Sequence, residues 1–149
     1  MRKKTIRIIS LFIVLTMLLS TAAFAATNAS AYNAATNAFI TRDGNTVEVD
    51  FWIVGTDAMD QIGVKYIYLY EKNGYSWNLV KTFAYTNPIY SATLMDSNTG
   101  AHAGYVTYSG SATKSYYADC RFYAEKDGGS DTIQQDTPTS YGTTPPPTP

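Results

Sequence analysis

The sequence predicts an all-β domain built as two packed antiparallel sheets. Short runs rich in Val, Ile, Tyr, Phe and Trp recur along the chain, turn residues separate them about every ten positions, and no long segment shows a helical period. The clearest strand spans residues 46–54, where Val47, Val49, Phe51 and Ile53 alternate with other residues. Strict alternation is typical of a strand with one buried face and one solvated face.

A central hairpin is the strongest local prediction. Residues 62–72 and 77–85 are two apolar, aromatic-rich runs on either side of Asn73-Gly74. Asn and Gly tolerate the positive φ angles of a tight primed turn, so the two runs should pair antiparallel. Asn87-Pro88 should end the second run, because proline removes a ladder donor.

The first strand of this hairpin has two candidate inward faces. One face uses Ile62 and Val64 and buries the tyrosines that follow them. The other uses Ile67 and Leu69 and leaves those tyrosines outward. A β-bulge partway along the strand would let both assignments hold, each in its own half.

Shorter runs predict the remaining strands. Residues 56–61 are polar and predict a loop, and Asp43-Gly44 predicts a second hairpin turn. In residues 116–124, Tyr116 and every second residue after it are predicted to face inward. The further predicted strands are residues 37–40, 90–95, 101–108, 116–124 and 131–135.

Tyr116 refines the fold prediction. It opens the penultimate strand, which is the placement of the tyrosine corner of immunoglobulin-like sandwiches, where the hydroxyl bonds to the backbone upstream. Cys120 is the sole cysteine, so an intramolecular disulfide is impossible. The pattern therefore favours an immunoglobulin-like or fibronectin-type antiparallel sandwich of about seven strands. Cys120 is expected to be a buried, unreactive strand residue.

The two ends of the chain predict export and a flexible tail. Basic residues precede an apolar run at residues 8–19, and Ala23-Phe24-Ala25 fits signal-peptidase cleavage. The run is shorter than the roughly 20 residues of a membrane span, so a secreted, extracellular protein without a span after cleavage is expected. The predicted organisation is a signal peptide (1–25), a flexible lead-in (26–35), the sandwich domain (36–137) and a Pro/Thr-rich tail (138–149).

The charge balance excludes nucleic acid as a partner. Four of the 11 Lys and Arg residues lie in the signal peptide, which leaves seven against 12 acidic residues and a net charge of −5. Nucleic acids and anionic membranes attract cationic surfaces, and the mature chain has no Lys or Arg run.

Residues suited to catalysis or metal binding form no recognisable constellation. His102 is the sole histidine and lacks the paired spacing of a zinc site. Glu48 and Asp50 share the solvent face of one strand and would be the carboxylates of a small glycoside hydrolase. Asp57 and Asp60 share a loop and are too few for a calcium site. We therefore expect no enzyme, no cofactor and no metal.

The unusual feature of the composition is its aromatic content of 13 Tyr and 2 Trp. If Ile67 and Leu69 face inward, a row of tyrosines lies on the outer face of one sheet. Amphipathic rings there would suit a protein partner or a cell-wall glycan, whereas the simpler explanation is that cross-strand aromatic pairs stabilise the sheet. The candidate binding residues are Tyr66, Tyr68, Tyr70, Tyr117 and Tyr123.

These observations predict a secreted, non-catalytic binding or interaction domain, with the cell envelope as its candidate location. A carbohydrate-binding module that uses the same tyrosines is the alternative within the binding class. A small glycoside hydrolase is the alternative from the enzyme class.

The hairpin segment 69–81 resembles a pattern in small secreted proteins of Gram-positive, clostridia-type bacteria. In that pattern, a strand ending in Leu-x-(Lys/Gln)-Lys is followed by a Gly/Ser turn and then Trp-x-x-Val-Lys. This chain has Leu69-Tyr70-Glu71-Lys72, in which Glu71 departs from Lys/Gln, and then Trp77 to Lys81. Those proteins are taken to be single β-sandwich domains of uncharacterised function. The resemblance implies the fold and export, and it supplies no site residue. The Tyr content and the Pro/Thr tail of this chain depart from the pattern.

Overall fold

A computed structural model describes residues 31–142, which form eight strands and one short helix. In chain order these elements are β1 (Asn33–Asp43), β2 (Thr46–Met59), β3 (Gln61–Asn73), β4 (Ser76–Ala84), α1 (Ser91–Leu94), β5 (Met95–Asp96), β6 (Thr99–Ser109), β7 (Tyr116–Lys126) and β8 (Gly129–Asp136). The predicted signal peptide and the end of the predicted tail lie outside the described residues.

The strands form two antiparallel sheets. One has the order β1-β2-β6, and the other has the order β4-β3-β7-β8 with the short β5 paired to β3. The all-β, two-sheet prediction is confirmed. The strand that carries Tyr117 lies beside the strand that carries Tyr66 to Tyr70.

The core lies between the sheets and is built from alternating residues of β2, β3 and β7. Both predicted inward sets are confirmed, and Cys120 is completely buried among them. From β2 the core receives Val47, Val49, Phe51 and Ile53, and from β7 it receives Tyr116, Ala118, Cys120, Phe122 and Ala124.

A β-bulge in β3 decides which residues of that strand face outward. The register with β7 shifts between Val64 and Tyr66, so that Lys65 is the extra residue. Ile62 and Val64 before the bulge are fully buried, and so are Ile67 and Leu69 after it. Both candidate faces are therefore correct, each in its own half. A bulge reverses the alternation, and this leaves the β3 tyrosines outside.

The predicted strand at residues 90–95 is wrong. The backbone N–H groups of Tyr90 and Ser91 both donate to the carbonyl of Asn87, which starts the single turn of α1, and only Met95 and Asp96 pair with β3. This segment crosses β3 closely at Gly63, where a Cβ atom would lie 2.1 Å from the carbonyl oxygen of Leu94.

Three predicted boundaries also need correction. The predicted loop at 56–61 is mostly strand, because β2 continues to Met59, which is buried and pairs with Thr99. The predicted lead-in is three residues too long, because β1 begins at Asn33. The tail leaves the domain later than predicted, because Ser140 exchanges two backbone hydrogen bonds with Tyr116.

The Tyr116 hydroxyl makes the predicted hydrogen bond to the backbone upstream. The Tyr116 ring is fully buried, and its hydroxyl accepts a hydrogen bond from the backbone N–H of Ser111 (2.8 Å) and donates one to Oε2 of Glu71 (2.7 Å). Burial is the largest cause that raises the pKa of this hydroxyl to about 12, and the bond to Glu71 adds to it. The hydroxyl thus ties the β6–β7 loop to the end of β3.

Replacing Tyr116 should lower the free energy of unfolding and make this free energy less dependent on pH in the alkaline range. The folded protein keeps a proton on this hydroxyl that the unfolded chain, with a pKa near 10.0, releases, so the free energy of unfolding falls as pH rises from 10.0 towards 12. Tyr116→Phe should lower the free energy of unfolding by about 1–3 kcal/mol at neutral pH, as measured by urea denaturation. In this variant, the free energy of unfolding should also fall less steeply between pH 10.0 and pH 12. Tyr75→Phe, a change at a fully exposed ring, is the control, and an unchanged slope in Tyr116→Phe would contradict the assignment.

Cys120 should be unreactive in the folded protein. Its thiol is fully buried, and burial raises its pKa to about 12. A maleimide reagent should therefore label the chain only as it unfolds, with labelling that follows the denaturation curve. An exposed thiol placed by Thr107→Cys in a Cys120→Ala chain should react without denaturant. Fast labelling of native Cys120 would place the thiol outside the core.

Candidate functional site

The outer face of the five-stranded sheet carries four of the predicted tyrosines in two stacked pairs. Tyr66 and Tyr68 stack along β3 with ring centroids 5.7 Å apart, and Tyr70 stacks on Tyr117 directly across the strands at 4.8 Å. The edge of Trp77 on β4 packs against Tyr117 at 4.8 Å. We call these five residues the tyrosine face. All five side chains are half-buried.

The rings of the tyrosine face pack largely against one another. The planes of Tyr70 and Tyr117 lie within 7° of parallel, and the Nζ of Lys72 lies 5.8 Å from the Trp77 ring centroid. Offset stacks and cation–π contacts stabilise a sheet surface by themselves. This face consequently presents ring edges and hydroxyl groups to solvent more than flat ring surfaces.

Tyr123 has the predicted orientation and is not exposed. It lies on the same outer side as the tyrosine face, opposite Gly63, and only 6% of the residue is accessible. The Nζ of Lys65, the bulged residue, lies 3.4 Å from its ring centroid, and its hydroxyl donates to Glu125. The position of a β-bulge is hard to predict from sequence, so the sequence does not predict that Lys65 covers the Tyr123 ring.

A polar group borders the tyrosine face. Asp119 lies directly across from Tyr68, and its Oδ2 accepts hydrogen bonds from Arg121 (2.8 Å) and Gln134 (3.2 Å). The other carboxylate oxygen of Asp119 and the Nε of Arg121 are buried without a hydrogen-bond partner. Both atoms are shielded from solvent, whereas 36% of the Arg121 side chain is exposed, so this side chain is the part of the group that a ligand can reach. We call these three residues the polar group.

A second aromatic surface lies on the opposite side of the domain. Phe39, Trp52 and Tyr105 project from the outer face of the three-stranded sheet with 41%, 37% and 58% of their surface accessible. Asp50 lies between Phe39 and Tyr105 in the strand register. Sequence reasoning missed this surface, although the alternation of β2 that buries Phe51 and Ile53 also turns Trp52 outward.

His102, Asp57 and Asp60, which were considered for metal binding, have ordinary partners. The Nε2 of His102 lies 2.7 Å from the carbonyl oxygen of Thr93. Asp57 pairs with Lys126, whose hydrogen bond lowers the pKa of that carboxyl, and Asp60 accepts from the backbone of residue 127. Within residues 31–142, no three His, Cys, Asp or Glu side chains come together as a metal-ligating group.

Comparison with protein-family models, curated proteins and solved structures found no match to this chain. No helix of the described part of the chain is long and apolar enough to cross a membrane.

The contact between Tyr70 and Tyr117 should be measurable as a coupling energy. A double-mutant cycle with Tyr70→Ala and Tyr117→Ala should give about 1 kcal/mol of coupling in the free energy of unfolding, because aromatic pairs contribute beyond their buried area. Tyr66 and Tyr117 form no ring pair and provide the control cycle, with coupling near zero. Equal coupling in the two cycles would show that the specific stack contributes nothing.

Proposed function

We propose that this protein is a secreted, non-catalytic binding domain that acts outside the cell. The predicted signal peptide supports export, and the tyrosine face with its polar group supports recognition. The observation that carries the proposal is the juxtaposition of half-buried tyrosines with the ion pair of Asp119 and the partly exposed Arg121. Tyrosine supplies contact area at low entropic cost, and such polar atoms supply specificity.

Carbohydrate is the second candidate ligand class, and the polar group favours it. Sugar hydroxyls pair well with a carboxylate and a guanidinium side by side, which is the arrangement of Asp119 and Arg121. The stacked rings favour a protein partner instead, since they offer edges and hydroxyls. A cell-envelope location agrees with both classes and with the resemblance to small secreted Gram-positive proteins.

We also infer that the sandwich is of the immunoglobulin-like, fibronectin type. The orders β1-β2-β6 and β3-β7-β8 support this, since they match the A-B-E and C-F-G strand neighbours of immunoglobulin sandwiches. The corner made by Tyr116 supports it further.

A glycoside hydrolase built on Glu48 and Asp50 remains the less favoured function. The two residues lie two positions apart on the outer face of β2, and burial raises the pKa of Asp50. A raised pKa suits a general acid. However, the two carboxylates lie on an open sheet, whereas glycosidases place theirs on either side of a bound sugar.

The proposal is tested by pulldown of residues 26–149 on cell-wall and polysaccharide preparations and on extracellular protein extracts. Tyr66→Ala/Tyr68→Ala/Tyr70→Ala and the milder Arg121→Gln should both lose retention, after circular dichroism confirms that they fold. Tyr75→Ala and Tyr141→Ala remove exposed tyrosines elsewhere and should be retained like the wild type. Retention of all variants would remove the tyrosine face as the binding surface.

A further inference from the structure

The outer face of the three-stranded sheet has a chemistry that the proposed function does not use. Phe39 and Tyr105 flank Asp50 on the two neighbouring strands, and Trp52 follows Asp50 by two positions on the same side of β2. Three rings therefore surround one carboxylate on three sides. They line a shallow depression of about 350 Å³ whose floor includes Ala103 and Gly104.

These rings differ from the tyrosine face because they are unpaired. In the part of the chain that the structure describes, Phe39, Trp52 and Tyr105 form no aromatic pair and no cation–π contact. Their π surfaces are free to meet a ligand. The small side chain of Ala103, directly across from Trp52, leaves one side of the indole open.

The charge of this face is uniformly negative. Among the described residues, the outward positions of β1, β2 and β6 carry Asp43, Glu48 and Asp50 and no Lys or Arg. No cationic side chain within residues 31–142 pairs with Asp50. Burial partly desolvates its carboxylate, and no counter-ion comes to it from the described residues.

Aromatic rings around an unpaired carboxylate complement an organic cation. The negative faces of the rings attract a cation, and the carboxylate supplies the opposite charge. A quaternary ammonium group has an apolar surface that rings can cover and no N–H that needs an acceptor, so it fits better here than a primary ammonium. A neutral sugar would meet few hydrogen-bonding groups in this depression.

We propose that Phe39, Trp52 and Tyr105, with Asp50, form a binding site for a small choline-type quaternary ammonium compound. The site is separate from the tyrosine face, and the proposal does not depend on the function proposed for the tyrosine face. Trp52 is the central ring, and Asp50 confers the preference for a cation over a neutral molecule of the same shape.

The test is a titration with choline that is monitored by ¹H–¹⁵N NMR of the two tryptophan indole N–H signals. The Trp77→Phe variant, which lacks the Trp77 signal, assigns the remaining signal to Trp52. Choline should shift the Trp52 signal saturably and leave Trp77 unchanged. The uncharged isostere 3,3-dimethyl-1-butanol should bind at least several-fold more weakly, because it has the same shape without the charge. No saturable shift of Trp52, or equal binding of the two compounds, would overturn the proposal.

Variants define the roles of the residues. Trp52→Ala should weaken choline binding about tenfold, which is the size of a partly desolvated cation–π contact. Asp50→Asn should weaken choline binding about fivefold, as expected for a solvent-screened charge pair, and should leave the weak binding of the isostere unchanged. Both changed residues point to solvent, so the fold should survive. Tyr70→Ala, on the opposite sheet, is the matched control and should bind choline like the wild type. Choline affinity unchanged in Trp52→Ala would also overturn the site.

Discussion

The hydrogen bonds of Tyr116 are the constraint on which the rest of this sandwich depends. The hydroxyl joins the β6–β7 loop to Glu71 at the end of β3, while the backbone of the same residue holds Ser140. The loop must approach closely for this contact, since a Cβ atom at Gly110 would lie 2.6 Å from the hydroxyl oxygen. Without a disulfide, the side chain of one buried residue joins the β6–β7 loop to β3, and the backbone of the same residue holds the C-terminal segment.

The same contact fixes the register that creates the tyrosine face. Glu71 lies directly across from Tyr116, and the next pair along the strands is Tyr70 with Tyr117. A slip of one residue would turn these rings into the core and expose the apolar side chains that now fill it. The bulge at Lys65 then reverses the alternation, so that one strand buries Ile62 and Val64 at one end and exposes its tyrosines at the other.

The fold was predictable wherever local chemistry decides it. Alternation in β2 and β7, the Asn73-Gly74 turn and the placement of Tyr116 each carry their own signal. Residues 90–95 have a strand-like sequence pattern but form a helical turn instead. The hydrogen bonds to Asn87 and the close packing of Leu94 on Gly63 determine this, and the second contact joins segments distant in sequence. The same limit applies to the site. Alternation within one strand predicts which side chains point to solvent. Contacts between strands cannot be predicted in this way, and they include the stacking of Tyr70 on Tyr117, the contact of Lys65 with the Tyr123 ring and the arrangement of rings around Asp50.

The two outer faces show why aromatic content alone is a weak guide to function. The tyrosine face holds more rings, but stacking, an edge contact with Trp77 and a nearby lysine already satisfy much of their surface. The face around Trp52 holds fewer rings, and they are more exposed. Among residues 31–142 these rings have no aromatic or cationic partner, and the carboxylate beside them has no counter-ion. Binding free energy comes from groups whose interactions are incomplete in the free protein. By that criterion we expect the exposed part of the polar group and the rings around Asp50, more than the number of tyrosines, to determine where this domain can bind.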